Sequence, residues 1–149
     1  MTPVPPMTLR PERFAFVRYP ADDPLPVWVF HAAATVWSIT RTPNELSVLA
    51  PEDDLPPSAG HAERGWRALE LDGPIPFEAA GVIASVTAPL AAAGLPSCVV
   101  STHDTDLLLV RERDLPRALE LLRERFTVRA CARRRRAVPR GRGRAAVRA

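Results

Sequence analysis

Ser97-Cys-Val-Val-Ser-Thr-His-Asp-Thr-Asp-Leu-Leu-Leu-Val110, with Asp114-Leu-Pro-Arg-Ala-Leu-Glu-Leu-Leu-Arg123 close behind it, decides the fold. Ser97–Ser101 is apolar and partly β-branched, and Asp106–Val110 repeats that character after a polar connection over Thr102–Thr105, so the spacing predicts two strands. The period then changes. Leu115, Ala118, Leu119, Leu122 and Phe126 fall on one helical face, while Arg117, Glu120, Glu124 and Arg125 fall on the other. Asp114 stands where a carboxylate caps a helix N-terminus, and Thr127–Ala130 reads as a closing strand.

Working back toward the N-terminus, Phe77 to Ala93 is alanine-rich and ends at Gly94, a helix with its terminal glycine and an expected bend at Pro89. Trp66–Leu71 is a strand stopped by Asp72-Gly73-Pro74. The order strand, helix, strand, strand, helix, strand is the split βαβ, or ferredoxin-like, arrangement.

The first half shows a reduced version of it. Of the 17 prolines, 13 precede Phe77, which favours strands and loops over helices. Phe14–Tyr19 reads as a strand, Val27–Phe30 as a helical turn, and Thr35–Thr40 and Glu45–Leu49 as strands joined by Arg41-Thr-Pro-Asn44. Pro51–Gly60 is a polar loop. A loose echo between Ser38–Leu46 and Ser101–Leu107 suggests duplication.

Charge is divided unevenly. The chain carries a formal +3, but nine arginines lie between Arg129 and Arg148 with no acid among them. Residues 1–128 hold 11 arginines against 17 acids, a net of −6, and there is no lysine anywhere. An acidic domain with a basic tail is therefore expected. Cys98 and Cys131 are too few for a disulfide framework and show no metal-knuckle spacing. No apolar run approaches the roughly 20 residues a membrane span needs, and a cytoplasmic location is expected.

The run Trp37–Val48, Gly65-Trp-Arg67, Gly73-Pro-Ile-Pro-Phe77, Gly81-Val-Ile-Ala-Ser85 and Ser101–Val110 resembles the small bacterial ACT-domain proteins. These are related to the CASTOR/POLLUX-type cytosolic arginine sensors and to the regulatory ACT pairs of aspartate kinases. The resemblance covers residues 9–130. It implies an α+β chain of two tandem ACT-like (ferredoxin-like, βαββαβ) subdomains, the first abbreviated, packed side by side. The expected division is a disordered N-terminus at 1–8, an abbreviated subdomain at 9–60, a full one at 61–130 and a disordered Arg-rich tail at 131–149. The resemblance also implies a small-molecule site, usually for an amino acid, at an interface between ACT units. His103 and Leu107 depart from the pattern, because aromatic residues commonly stand at those positions.

An amino acid needs donors for its carboxylate and an acceptor for its ammonium. A helix start supplies unpaired N–H groups, which makes Phe77, where the helix-opening segment to Ile83 begins, a candidate site residue, and the resemblance places Gly81, Val82 and Ile83 near the ligand. The alternative for Gly81 is close packing of the helix on the sheet. Ser101, Thr102, Asp104, Thr105 and Asp106 concentrate hydroxyls and carboxylates at one connection, where a carboxylate can meet an ammonium. The same residues also suit a tight turn that bonds its own backbone.

Ser101, His103 and Asp104 do not form a nucleophile triad, because neighbouring strand residues face opposite ways. His31, His61 and His103 are too scattered for a metal site, and no phosphate-cradling glycine loop is present, so no cofactor is expected. Trp28, Trp37 and Trp66 read as packing anchors. The expectation is a non-enzymatic regulatory sensor with an amino acid as small-molecule partner and a homodimer as a candidate assembly. The alternative is a nucleic-acid-associated protein, its arginine tail binding an anionic partner.

Overall fold

A computed structural model of the chain describes residues 4–31 and 36–130. The arginine tail, Cys131 and Thr35 lie outside the described residues, so the expectations made for them stay where the sequence left them.

The elements in chain order are β1 (Met7–Tyr19), α1 (Trp28–His31), β2 (Ser38–Arg41), β3 (Leu46–Pro51), β4 (His61–Leu71), α2 (Val82–Ala92), β5 (Ser97–Ser101), β6 (Asp106–Arg111), α3 (Leu115–Arg123) and β7 (Val128–Ala130). The strands form one sheet in the order β2-β3-β1-β4-β6-β5. The far half of β1, Phe14–Tyr19, carries β3, and its near half, Met7–Leu9, carries β7 on the same edge. Among the described residues only the β7 pairing is parallel. The chain is thus an α+β ferredoxin-like protein, as the order of elements in the second half predicts.

Several boundaries and one cap differ from the sequence reading; β4, for one, begins at His61 rather than Trp66, and β2 at Ser38 rather than Thr35. β1 begins at Met7 rather than Phe14, so Met7 and Thr8, expected in a disordered N-terminus, are strand residues, with Met7 fully buried. Pro11 hides the extension in the sequence. It sits in a bulge where Arg10, Pro11 and Glu12 face a single residue of β4, so no ladder bond is lost at proline. α2 begins at Val82 rather than Phe77, because Gly81 is left-handed at φ 85° and the segment before it makes a separate turn, Ala79 N–H to Pro76 O at 2.9 Å. Asp114 precedes α3 but caps nothing. It ends a 3-10 turn, Glu112–Asp114, in right-handed geometry (φ −95°, ψ −8°) rather than the extended backbone usual for an N-cap, and its side chain makes no cap bond.

The end of α2 does follow the sequence. Gly94 has φ 71°, and the bonds Leu95 N–H to Leu90 O (2.9 Å) and Gly94 N–H to Ala91 O (3.0 Å) make a Schellman motif.

Two faces of the sheet bury different side chains. Outward on the second half, Leu69, Leu71, Leu108 and Val110 pack under Val82, Val86 and Leu90 of α2 and Leu115, Ala118 and Leu122 of α3. Outward on the first half, α1 sets Val29 on Val17, Val48 and Ala50. The inner face buries Phe14, Leu49, Trp66, Ala68, Leu107 and Leu109, with no helix among the cluster. Curling makes that possible. In a flat sheet β2 and β5 would stand roughly 24 Å apart, five strand spacings, yet Ser38 and Val100 line one cavity.

The tryptophans divide accordingly. Trp66 is buried, meets Phe16 edge-on at 5.6 Å and carries the Arg111 guanidinium 4.1 Å from its ring centre. Trp28 donates to the Tyr19 hydroxyl at 3.2 Å. Trp37, expected as a packing anchor, is 42% exposed and touches Phe30 edge-on instead.

The two halves match closely. The order β2-β3-β1 is mirrored by β5-β6-β4, with β1 and β4 antiparallel at the centre. Pro24-Leu-Pro-Val27 recurs as Pro74-Ile-Pro-Phe77, and Glu52-Asp-Asp-Leu-Pro56 as Glu112-Arg-Asp-Leu-Pro116. Both glutamates start 3-10 turns and reach across to the other half's central strand. Glu52 accepts from the amide of Gly65 in β4 at 2.6 Å, and Glu112 accepts from Arg13 Nε in β1 at 2.8 Å. The halves part after these turns, where the second continues into α3 and the first runs on to β4 through a loop.

Candidate ligand-binding site

The loop that leaves β4 does not cross the sheet at once. Ile75 N–H donates to Asp104 O at 2.7 Å, which lays Pro74–Phe77 against the β5–β6 turn. Gly73 makes the approach possible, since a Cβ there would stand 2.6 Å from Asp104 O. The chain then turns through Gly81 into α2, whose first turn has no side-chain cap. Val82, Ile83 and Ala84 thus present amides with no partner within the helix.

The turn is built from its own hydroxyls. Thr102 N–H donates to Thr105 O at 2.7 Å, and the Thr102 hydroxyl accepts from Thr105 N–H at 3.1 Å. The Thr42–Glu45 turn of the first half repeats the arrangement, with Thr42 N–H to Glu45 O at 2.9 Å and Glu45 N–H to the Thr42 hydroxyl at 3.2 Å. The Thr105 hydroxyl donates to Leu71 O, tying the turn to the end of β4.

A cavity of about 300 Å3 opens between the start of α2 and this turn. Phe77, Gly81, Val82 and Ile83 line one side, and Ser101, Thr102, Thr105 and Asp106 the other. Of the nine residues singled out from the sequence, these eight come together. Asp104 does not line the cavity. Its carboxylate meets His103 Nδ1 at 2.8 Å on the exposed corner of the turn. The hydroxyls also act differently from the expectation, since Thr102 and Thr105 spend their protons on backbone carbonyls. Ser101 Oγ donates to Asp106 Oδ1 at 2.5 Å, which leaves Asp106 as the one carboxylate on the lining.

Sequence reasoning passed over Ile75, Pro76 and Ala79, which line the same cavity. The recurrence of Pro-Leu-Pro as Pro-Ile-Pro was the signal that marks this loop. His103, set aside as a triad member and as a metal ligand and noted as a departure from the family pattern, lies 5.2 Å edge-on from Phe77 at the mouth. The mouth is apolar and open, with Phe77 76% and Ile83 40% exposed. The residues that carry the uncapped amides of α2 and the Asp106 carboxylate thus line one cavity.

The strand order and the two half-sheets define a ferredoxin-like α+β architecture. The ACT-domain profile matches residues 61–124, and the chain belongs to the ACT-domain family. A cattle (Bos taurus) protein named cytosolic arginine sensor for mTORC1 subunit 1 is 35% identical over 102 residues, which are 62% of this chain and 31% of that protein. The chain therefore spans about a third of the length of that curated relative. Among solved structures, protein Atu0741 of Agrobacterium tumefaciens superposes with a TM-score of 0.79 at 30% identity, covering 89% of this chain and 97% of that one. The ligand-free regulatory subunit of aspartate kinase from Thermus thermophilus has a TM-score of 0.59 at 14% identity, over 83% and 99% of the two chains, and shares the fold.

Proposed function

We propose that the chain is a non-enzymatic, cytoplasmic regulatory module that binds a free amino acid between the start of α2 and the β5–β6 turn. One observation carries this reading: the uncapped amides of α2 and the Asp106 carboxylate face the same 300 Å3 cavity. The carboxylate of an amino acid suits the first, through hydrogen bonds and the partial positive charge of a helix start. Its ammonium suits the second, through a charge-assisted bond. The volume is at the small end of ligand pockets, where a single amino acid fits. L-Arginine is the first probe, given the name of the cattle relative.

Ser101, His103 and Asp104 argue against hydrolysis, since the serine hydroxyl donates to Asp106 while the histidine pairs with Asp104. The exposed rim of Phe77 and Ile83 favours a second copy of the chain closing the site. A ligand bound there would favour one packing of the two copies by its difference in affinity for them.

The test is calorimetry and thermal shift of the full chain with each common amino acid. A ligand at 100 times its dissociation constant adds about 2.7 kcal/mol. One selective binder, lost in Asp106→Ala with the fold retained, supports the reading; no binder among the twenty overturns it.

A further inference from the structure

The curl of the sheet creates a second cavity, of about 400 Å3, on the inner face behind the β5–β6 turn. Its walls come from both ends of the strand order: Trp37 and Ser38 at β2, Val100 and Ser101 at β5. Among the described residues the lining is half apolar (Val36, Trp37, Leu49, Val100 and Leu107) and half hydroxyl-bearing or charged, with one charged side chain, Glu70. Strand register explains the placement. Glu70 pairs with Leu107 and Leu107 with Val100, so the carboxylate stands at the end of an apolar row running across β4, β6 and β5.

A carboxylate so placed gives up much of its hydration and needs a cation. The Arg10 guanidinium supplies one at 3.2 Å, from the β1 side, and a third of the Glu70 side chain is left open. An anion entering this cavity would meet a like charge. A neutral apolar guest would strip water from Glu70 and return nothing. An amine with an apolar body meets the Arg10 guanidinium as a like charge, but Arg10 is shared between Glu70 and Glu12, 3.6 Å from its Nε, so the three groups carry a net −1 before the amine arrives.

We propose that this inner cavity is a second binding site, for a small organic amine, with its ammonium on Glu70 and its apolar body between Trp37 and Leu107. The exposed Trp37 ring offers the apolar body a contact surface at the mouth. Ser38, on the edge strand, offers a hydroxyl beside it. The site is separate from the amino-acid cavity and stands whether or not that cavity binds an amino acid. The two share one wall, Ser101, Thr102 and Thr105, so a guest on either side presses on the same turn.

The experiment titrates the full chain with 2-phenylethylamine, and with 2-phenylethanol as the uncharged counterpart, by calorimetry and two-dimensional NMR. The expected result is saturable one-to-one binding of the amine, weakened about tenfold or more by Glu70→Gln and by loss of the ammonium. Asp106→Asn, in the other cavity, leaves the affinity unchanged. Ser38→Trp fills the mouth from an edge strand and abolishes binding, which decides the matter if Glu70→Gln fails to fold. No saturable binding by the parent protein overturns the proposal. So does an affinity that follows Asp106→Asn, or one that survives Ser38→Trp.

Discussion

Ser101 Oγ donates to Asp106 Oδ1 across 2.5 Å, joining the two residues that close the β5–β6 hairpin. The bond fixes the aspartate from its own neighbour across the strands, so the carboxylate stands at the cavity before any ligand arrives. Preorganisation of this kind lowers the ordering cost of binding. In the proposed amino-acid site this makes the serine a positioning residue rather than a ligand contact.

Asp106→Asn should therefore abolish an amino-acid-induced thermal shift while changing stability little. The pair lies at the surface, where such bonds contribute about 0–1 kcal/mol. Ser101→Ala should weaken binding by less. Thermal shift and urea unfolding on the same samples check both halves of the statement.

Gly73→Ala places a methyl group 2.6 Å from Asp104 O, which is backbone and cannot swing aside. The loop must lift from the turn, breaking the bond from Ile75 N–H to Asp104 O. The expected outcome is a loss of about 1–3 kcal/mol, together with loss of ligand response. Amide exchange at Ile75 should rise by a comparable factor.

Gly81→Ala tests a different constraint. Nothing stands within 4 Å of an added Cβ, so its whole cost is the left-handed backbone at φ 85°, about 1–2 kcal/mol. A urea midpoint unchanged by this substitution would mean that the turn before α2 rearranges freely.

Leu108→Ala removes a fully buried side chain shared by the sheet and its helices. A loss of about 2–5 kcal/mol follows. Glu52→Gln should cost less, about 1 kcal/mol, by weakening the bond from the Gly65 amide to a carboxylate. Denaturant titrations measure each.

Much of the second half was legible because its periods are clean. β5 matches its expected span to the residue, and the helix from Leu115 buries the expected Leu115, Ala118 and Leu122. The start of α2 was not legible. Alanine-rich text looks helical on both sides of Gly81, and only the backbone sign at that glycine stops the helix there. β1 was half hidden because a proline ends strands except at a bulge, and the bulge depends on β4 as much as on β1. At the candidate site, residue types pointed to the hairpin that lines the cavity, but composition could not say that Asp106 joins the lining while Asp104 stays on the exposed corner. The repeat of Glu-x-Asp-Leu-Pro at Glu52 and Glu112 was in plain view and would have extended the echo well past the turns.

The pairing of Met7 with Val128 sets an order of events during synthesis. A ribosome adding about 5–20 residues each second releases β7 on the order of ten seconds after β1. Until then the edge formed by Met7–Leu9 has no neighbour on that side, and an unpaired edge can recruit any passing strand. The nascent chain is most open to wrong partners over that interval, which makes slow translation or early termination before Val128 a source of aggregation rather than of a smaller working domain.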